Sequence, residues 1–168
     1  MIGISASLAP GGDWESSEVR RLRELKTPLI RVLVVDDFEP WQRQVIAQIG
    51  ERPNFRIIGM AASGVEAIQK AEELQPDLVL LDVSLPKLSG IEAARRIRKL
   101  VPRAKILFLS ASPDPDVVRA AFCVGGAGYV LKSDAGAALL QGMEVVLNGK
   151  QFLSRSLAEI SELGEMEG

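Results

Sequence analysis

Five short apolar runs, separated by stretches with helical spacing, leave this chain few ways to fold. The runs are "IRVLVV" (30–35), "RIIGMAA" (56–62), "DLVLL" (77–81), "AKILFLS" (104–110) and "GYVL" (128–131). Each is nearly continuous in apolar residues rather than alternating, the pattern of a strand covered on both faces. Helix-period segments follow at about 39–51, 65–74, 90–100, 116–124 and 135–148. In "SGIEAARRIRKL", Ile91, Ala94, Ile97 and Leu100 recur every three residues, while Arg95, Arg96, Arg98 and Lys99 fall mostly outward. Asp114 followed by Pro115 has the residue types of an N-cap and first helical turn. Five such β-α units predict an α/β doubly wound domain, a five-stranded parallel sheet with five helices joined by right-handed crossovers.

The ends fall outside this repeat. Residues 1–29 form an N-terminal extension, unstructured to residue 13 and then a short helix over 14–26 with Trp14, Leu22 and Leu25 near one face. Pro28 ends that helix, because the residue before a proline avoids helical backbone. Residues 30–150 form the domain, and 151–168 are expected as an acidic tail.

Composition closes several routes to function. Lys and Arg number 20 against 22 Asp and Glu, a net charge of −2, with no basic stripe to track a phosphate backbone. Direct nucleic-acid binding is therefore not expected. Histidine is absent, which removes His-based zinc sites, Ser-His and Cys-His pairs, and any phosphohistidine relay within the chain. The single cysteine, Cys123, excludes an intrachain disulfide, fits a reducing compartment, and is expected as a small buried residue on its helix. The start "MIGISASLAP" lacks the basic region of a signal peptide, and no apolar run reaches the ~20 residues of a membrane helix. A cytoplasmic location away from the membrane is expected.

Chemistry in such folds gathers beyond the carboxyl ends of the strands. There the first strand runs into Asp36 and Asp37, the third into Asp82, the fourth ends at Ser110, and the fifth runs into Lys132. A single strand-terminal Asp is usually a cap or turn former. Three carboxylates, a hydroxyl and an ammonium from four strands are a different matter. Crowded carboxylates raise one another's pKa unless a cation is present, and two or three of them with water suit octahedral Mg²⁺. One carboxylate can then act as nucleophile toward a phosphoryl group, with lysine and hydroxyl on its equatorial oxygens. No glycine-rich P-loop is present, so nucleotide use is not expected.

At these residues the chain resembles the receiver domains of two-component response regulators. The resemblance rests on "VLVVDD" (32–37), "LVLLDVSLPKLSG" (78–90), "LFLSAS" (107–112) and "GAGYVLKS" (126–133), in that order across residues 30 to 150. It implies a flavodoxin-like sheet of strand order 2-1-3-4-5. It also implies that Asp82 is the phosphoacceptor and that Asp36, Asp37, Asp82 and the Ser84 main-chain carbonyl hold Mg²⁺. Lys132 would contact the phosphoryl group, Ser110 would move to hydrogen-bond it, and Tyr129 would turn inward as Ser110 shifts. The donor would be a sensor histidine kinase, and the only catalysis the domain's own phosphorylation and dephosphorylation. Output would run through a partner or a homodimer, using either the 116–124, 128–131 and 135–148 face or the helices at 39–51 and 135–148.

"KSDAGAALLQGMEVVLNGKQFLS" (132–154) is similar to the end of a NarL/FixJ (LuxR-type) receiver, a subfamily in which a helix-turn-helix effector follows. Here the tail "RSLAEISELGEMEG" stands in that place, too acidic for a DNA-contacting arm, so the effector is expected to be missing. The alternative is a fragment of a DNA-binding transcriptional regulator. An aspartyl-phosphate phosphatase of haloacid-dehalogenase type shares the nucleophile and metal but uses a D-x-D motif, and position 84 is Ser. Two departures from the family pattern bear on switching: Ser133 replaces a common proline, and Pro113 and Pro115 flank the loop after Ser110. Trp41, four residues beyond Asp37, either fills the core or borders the acidic pocket.

Overall fold

The computed structural model describes residues 16–26 and 28–166. Six parallel strands form one sheet in the order β2-β1-β3-β4-β5-β6. They are β1 (Ile30–Val35), β2 (Phe55–Ala61), β3 (Leu78–Asp82), β4 (Lys105–Ser110), β5 (Gly128–Leu131) and β6 (Phe152–Leu153). The helices among the described residues are α1 (Ser17–Lys26), α2 (Glu39–Gly50), α3 (Gly64–Leu74), α4 (Gly90–Leu100), α5 (Pro115–Cys123), α6 (Ala135–Leu147) and α7 (Arg155–Met166). A 3₁₀ turn, Lys132–Asp134, joins β5 to α6.

Alternation along the strands builds two cores. Leu33, Val35, Val79, Leu81, Ile106 and Phe108 point to the face covered by α3, α4 and α5. Val32, Val34, Leu78, Leu80, Leu107 and Leu109 point to the face covered by α2 and α6. Successive side chains in a strand take opposite faces, and both faces here are buried, so the runs read as apolar throughout. The flavodoxin-like α/β architecture follows directly.

The expected five strands and five helices are corrected, among the described residues, to six strands and seven helices. β6 pairs parallel with β5, Gly128 opposite Phe152 and Tyr129 opposite Leu153, and two residues are too few to show a period. α7 follows at once. Its residue Leu157 lies in the core with Tyr129 and Ala121, and Ser154 before it is fully buried. The segment expected as an acidic tail thus begins with residues that pack on the sheet. At the other end α1 covers most of the expected 14–26 helix, with Leu22 exposed; Trp14, the unstructured stretch to residue 13 and the Leu25 side chain lie outside the described residues. Cys123, expected to be buried, is exposed, because it is the last residue of α5 and faces away from the sheet. Among the described residues no helix is long and apolar enough to cross a membrane.

Candidate functional site

β1 pairs with β2 on one side and β3 on the other, so the strand order reverses at β1 and leaves a crevice at the carboxyl edge. Asp36 and Asp82 stand there, 2% and 5% exposed. Both are held in the same way. One oxygen accepts the main-chain N–H two residues on: Phe38 N reaches Asp36 Oδ1 at 2.9 Å and Ser84 N reaches Asp82 Oδ1 at 3.1 Å. This is the short turn that aspartate favours, used at two strand ends. The second oxygen of each faces Lys132, whose Nζ lies 2.6 Å from Asp36 Oδ2 and 3.2 Å from Asp82 Oδ2. Asp37, exposed, completes a trio whose ligand oxygens lie within 4.8 Å of one another.

The surrounding elements fix this arrangement. The Gln42 amide, buried in the first turn of α2, donates to the main-chain carbonyls of Asp36 and of Ala61, the latter at 3.1 Å, and so ties the end of β1 to the end of β2. Gly90 starts α4 against the end of β3, and a Cβ there would lie 1.9 Å from the Asp82 carbonyl oxygen. Gly90 N–H bonds the Val83 carbonyl at 2.8 Å, and Ser89 caps α4 by accepting from Glu92 N at 3.2 Å. The loop between them carries Lys87 at φ 66, in left-handed backbone. Sequence reasoning missed both positions. Gln42 shares an i, i+3, i+7 stripe with Val45 and Ile49, and a lone amide on that apolar stripe was the available signal.

Trp41 does both things considered for it. It packs against the α2–α6 core, and its ring lies 5.2 Å from Lys132 Nζ, a cation–π distance. Ser110 closes β4 one residue beyond Leu109, the partner of Asp82, and its buried Oγ accepts from Ser112 N at 3.1 Å. Tyr129 is fully buried, and its hydroxyl donates to the Ser112 carbonyl at 2.9 Å. Ser84 sits exposed at the rim. The sheet therefore brings Asp36, Asp37, Asp82 and Lys132 into one pocket, with Ser110 and Tyr129 joined through Ser112 beside it.

The pocket is short of positive charge. Removal from water and then the Asp36 charge push the Asp82 carboxyl above its ordinary value, against Lys132 and the Ser84 N–H. Burial pulls the Lys132 ammonium down, but its hydrogen bond to Asp36 and the charges of Asp82 and Asp36 override this and leave it raised. Burial likewise raises Tyr129, opposed by Ser110. A single ammonium cannot satisfy three hard carboxylates. The donor set fits a small divalent cation such as Mg²⁺.

A doubly wound sheet with acids at the ends of β1 and β3 and a lysine after β5 defines a class, the flavodoxin-like domains with an acidic pocket at the carboxyl edge. Within that class the chain belongs to the family described as Response regulator receiver domain, which matches residues 32–144. It is similar to the response regulator GacA of Pseudomonas viridiflava, with 31% identity over 131 residues, 78% of this chain and 61% of that protein. It is also similar to the transcriptional activator protein ExaE of Pseudomonas putida, with 37% identity over 128 residues, 76% of this chain and 59% of that protein. Among solved structures, a LuxR-family two-component response regulator from Aurantimonas sp. SI85-9A1 superposes with a TM-score of 0.75 at 34% identity, covering 78% of this chain and 94% of that one. The chain thus spans about 60% of the length of the curated relatives it matches.

Proposed function

We propose that this domain is a phosphorylation-dependent signalling switch in which Asp82 accepts a phosphoryl group from a sensor histidine kinase. The observation that carries this reading is one ammonium shared between two buried carboxylates, Asp36 and Asp82, at the switch point of the sheet. An Asp82 oxygen forms the new O–P bond as the P–N bond of a phosphohistidine breaks, and the electron pair returns to the imidazole nitrogen. Asp36, Asp37, Asp82 and the Ser84 carbonyl would hold Mg²⁺, which would supply charge neutralisation at the transferring group. Lys132 is already 3.2 Å from an Asp82 oxygen and follows the charge onto the phosphoryl oxygens. The Ser110 Oγ accepts from Ser112 and keeps its own proton to donate. Tyr129, bonded to the Ser112 carbonyl, moves or stays with that loop.

Output then runs through a partner or through self-association, on the α5–β5–α6 face or through α2 and α6. Acetyl phosphate with Mg²⁺ tests the chemistry: the chain gains one phosphoryl group by mass. Labelling that survives Asp82→Asn overturns the assignment. Size measurement with and without beryllofluoride and Mg²⁺ tests self-association.

A second reading makes this receiver one part of a DNA-binding transcriptional regulator. It is favoured by relatives such as ExaE, a transcriptional activator of which the chain covers 59%. The residues reading phosphate are the same in both.

A further inference from the structure

The segment after α6 is tied to the pocket's own strand at successive residues. Ser154, fully buried, accepts from Leu131 N through Oγ at 3.0 Å and donates its own N–H to the Tyr129 carbonyl at 3.0 Å. Leu131 is the residue before Lys132. Ser156 then bonds Asp134, the last residue of the 3₁₀ turn that Lys132 begins. Its Oγ donates to Asp134 Oδ1 at 2.7 Å and its N–H to Oδ2 at 3.2 Å. Leu157, 3% exposed, packs in the core beside Tyr129. One turn further along α7, Ile160 joins Leu157 in lining a cleft of about 190 Å³ opposite Pro113, Pro115 and Val118.

These contacts share a property. Pro113 lies in the loop after Ser110 and Pro115 begins α5, while Ser112 in that loop receives the Tyr129 hydroxyl bond and donates to Ser110. α7 is therefore anchored on the turn after Lys132 and rests on the loop after Ser110. Its first turn is tightly held. Its second is not, since Ile160 is 41% exposed over an unfilled cleft.

We propose that α7 is the built-in occupant of the α5–β5 face, and that phosphorylation of Asp82 loosens it; this rests on the reading of Asp82 as the phosphoacceptor. The docked helix matches the present arrangement, with Lys132 on Asp36 and Asp82 and Ser110 on Ser112. A phosphoryl group adds acceptor oxygens that draw Lys132 and the Ser110 hydroxyl toward Asp82. The Ser112–Asp114 loop and the start of α5 follow, and the wall beneath Leu157 and Ile160 shifts. A packed interface of this kind switches between arrangements rather than deforming continuously. Release exposes an apolar strip around Val118 and Leu157, which a partner can then cover.

Hydrogen exchange on the full chain, with and without beryllofluoride and Mg²⁺, tests this. Peptides over 82–90 report whether the mimic binds, and peptides over 155–161 report α7. The expected result is slower exchange in 82–90 and about five-fold faster exchange in 155–161. Slower exchange in 82–90 with 155–161 unchanged or slower overturns the proposal while sparing the phosphoacceptor reading. No response in either segment removes both. Ser156→Ala supplies the reciprocal arm. It loses the hydroxyl bond to Asp134 Oδ1 while keeping the main-chain one, so 155–161 exchanges faster without mimic and the affinity for beryllofluoride rises by a similar factor, about five-fold. If Ser156→Ala loosens α7 and that affinity does not move, the coupling is absent.

Discussion

Replacing Gly90 with alanine tests how the fold sets the position of Asp82. The new Cβ would lie 1.9 Å from the Asp82 carbonyl oxygen, 2.8 Å from its carbonyl carbon and 2.9 Å from Val83 Cα. All three are main-chain atoms, so no rotamer change relieves the overlap. Real Cβ atoms essentially never approach closer than 3.0 Å, so the end of β3 and the start of α4 must part by about 1 Å. Overpacking of this kind costs roughly 1–3 kcal/mol, and weakening the Gly90–Val83 bond adds about 1 kcal/mol. Alanine returns up to about 1 kcal/mol through helix propensity. The expected net loss is about 1–3 kcal/mol by urea denaturation. A displacement of this size at a reacting group costs on the order of 100-fold in rate, read as labelling by acetyl phosphate. Gly136→Ala is the matched control, because nothing lies within 4 Å of a Cβ there; it should be neutral or stabilising. A Gly90→Ala protein within about 0.5 kcal/mol of wild type that labels at the wild-type rate would refute the reasoning.

Three further outcomes are expected. Asp82 is held above its ordinary pKa by burial and by Asp36, so its contribution to stability is full below the unfolded-state value and is lost as pH rises through the folded one. Without Mg²⁺, Asp82→Asn should therefore melt higher than wild type at neutral pH, by on the order of 1 kcal/mol or a few degrees, and the gap should close toward acid; a gap independent of pH counts against this. Lys87 sits exposed at φ 66, where a non-glycine residue is strained by roughly 1–2 kcal/mol, so Lys87→Gly should raise the denaturation midpoint by about 0.5–1 kcal/mol at unchanged slope. In a Trp14→Phe background, Mg²⁺ should alter Trp41 emission, because Lys132 at 5.2 Å from the ring must share its carboxylates with the ion. A silent Trp41 in a protein that Mg²⁺ demonstrably stabilises would remove it from the pocket's rim.

The sequence made the central sheet legible because strands buried on both faces carry an unbroken apolar signal. β1 and β5 fall on the residues expected, and α4 runs Gly90–Leu100 as its three-residue recurrence implied. The pocket acids and Lys132 were legible for a topological reason, since parallel strands deliver their carboxyl ends to one edge. What escaped depends on side-chain direction and on partners distant in sequence. β6 is recognisable only through its pairing with Gly128 and Tyr129. The Asp134–Ser156 bond spans 22 positions and leaves no periodic trace. Gln42 shows in the sequence only as a polar residue on an apolar stripe, and its partners, the carbonyls of Asp36 and Ala61, appear only once α2 is docked.

Lys132 is where the local and distant consequences meet. It neutralises part of the charge on Asp36 and Asp82, and it begins the 3₁₀ turn whose last residue, Asp134, holds Ser156. On the proposed reading, a phosphoryl group would replace about one negative charge on Asp82 with about two, in a pocket already short of cations. The ammonium is the mobile cation nearest to that change, and its backbone is continuous with the anchor of α7. A surface lysine could respond to the same charge by swinging a solvated side chain, at no cost to the fold. Lys132 is more confined, with Trp41 on one side of it and the two carboxylates on the other. On the proposal above, part of its response would pass to the main chain of the turn, and through Asp134 to Ser156 of α7.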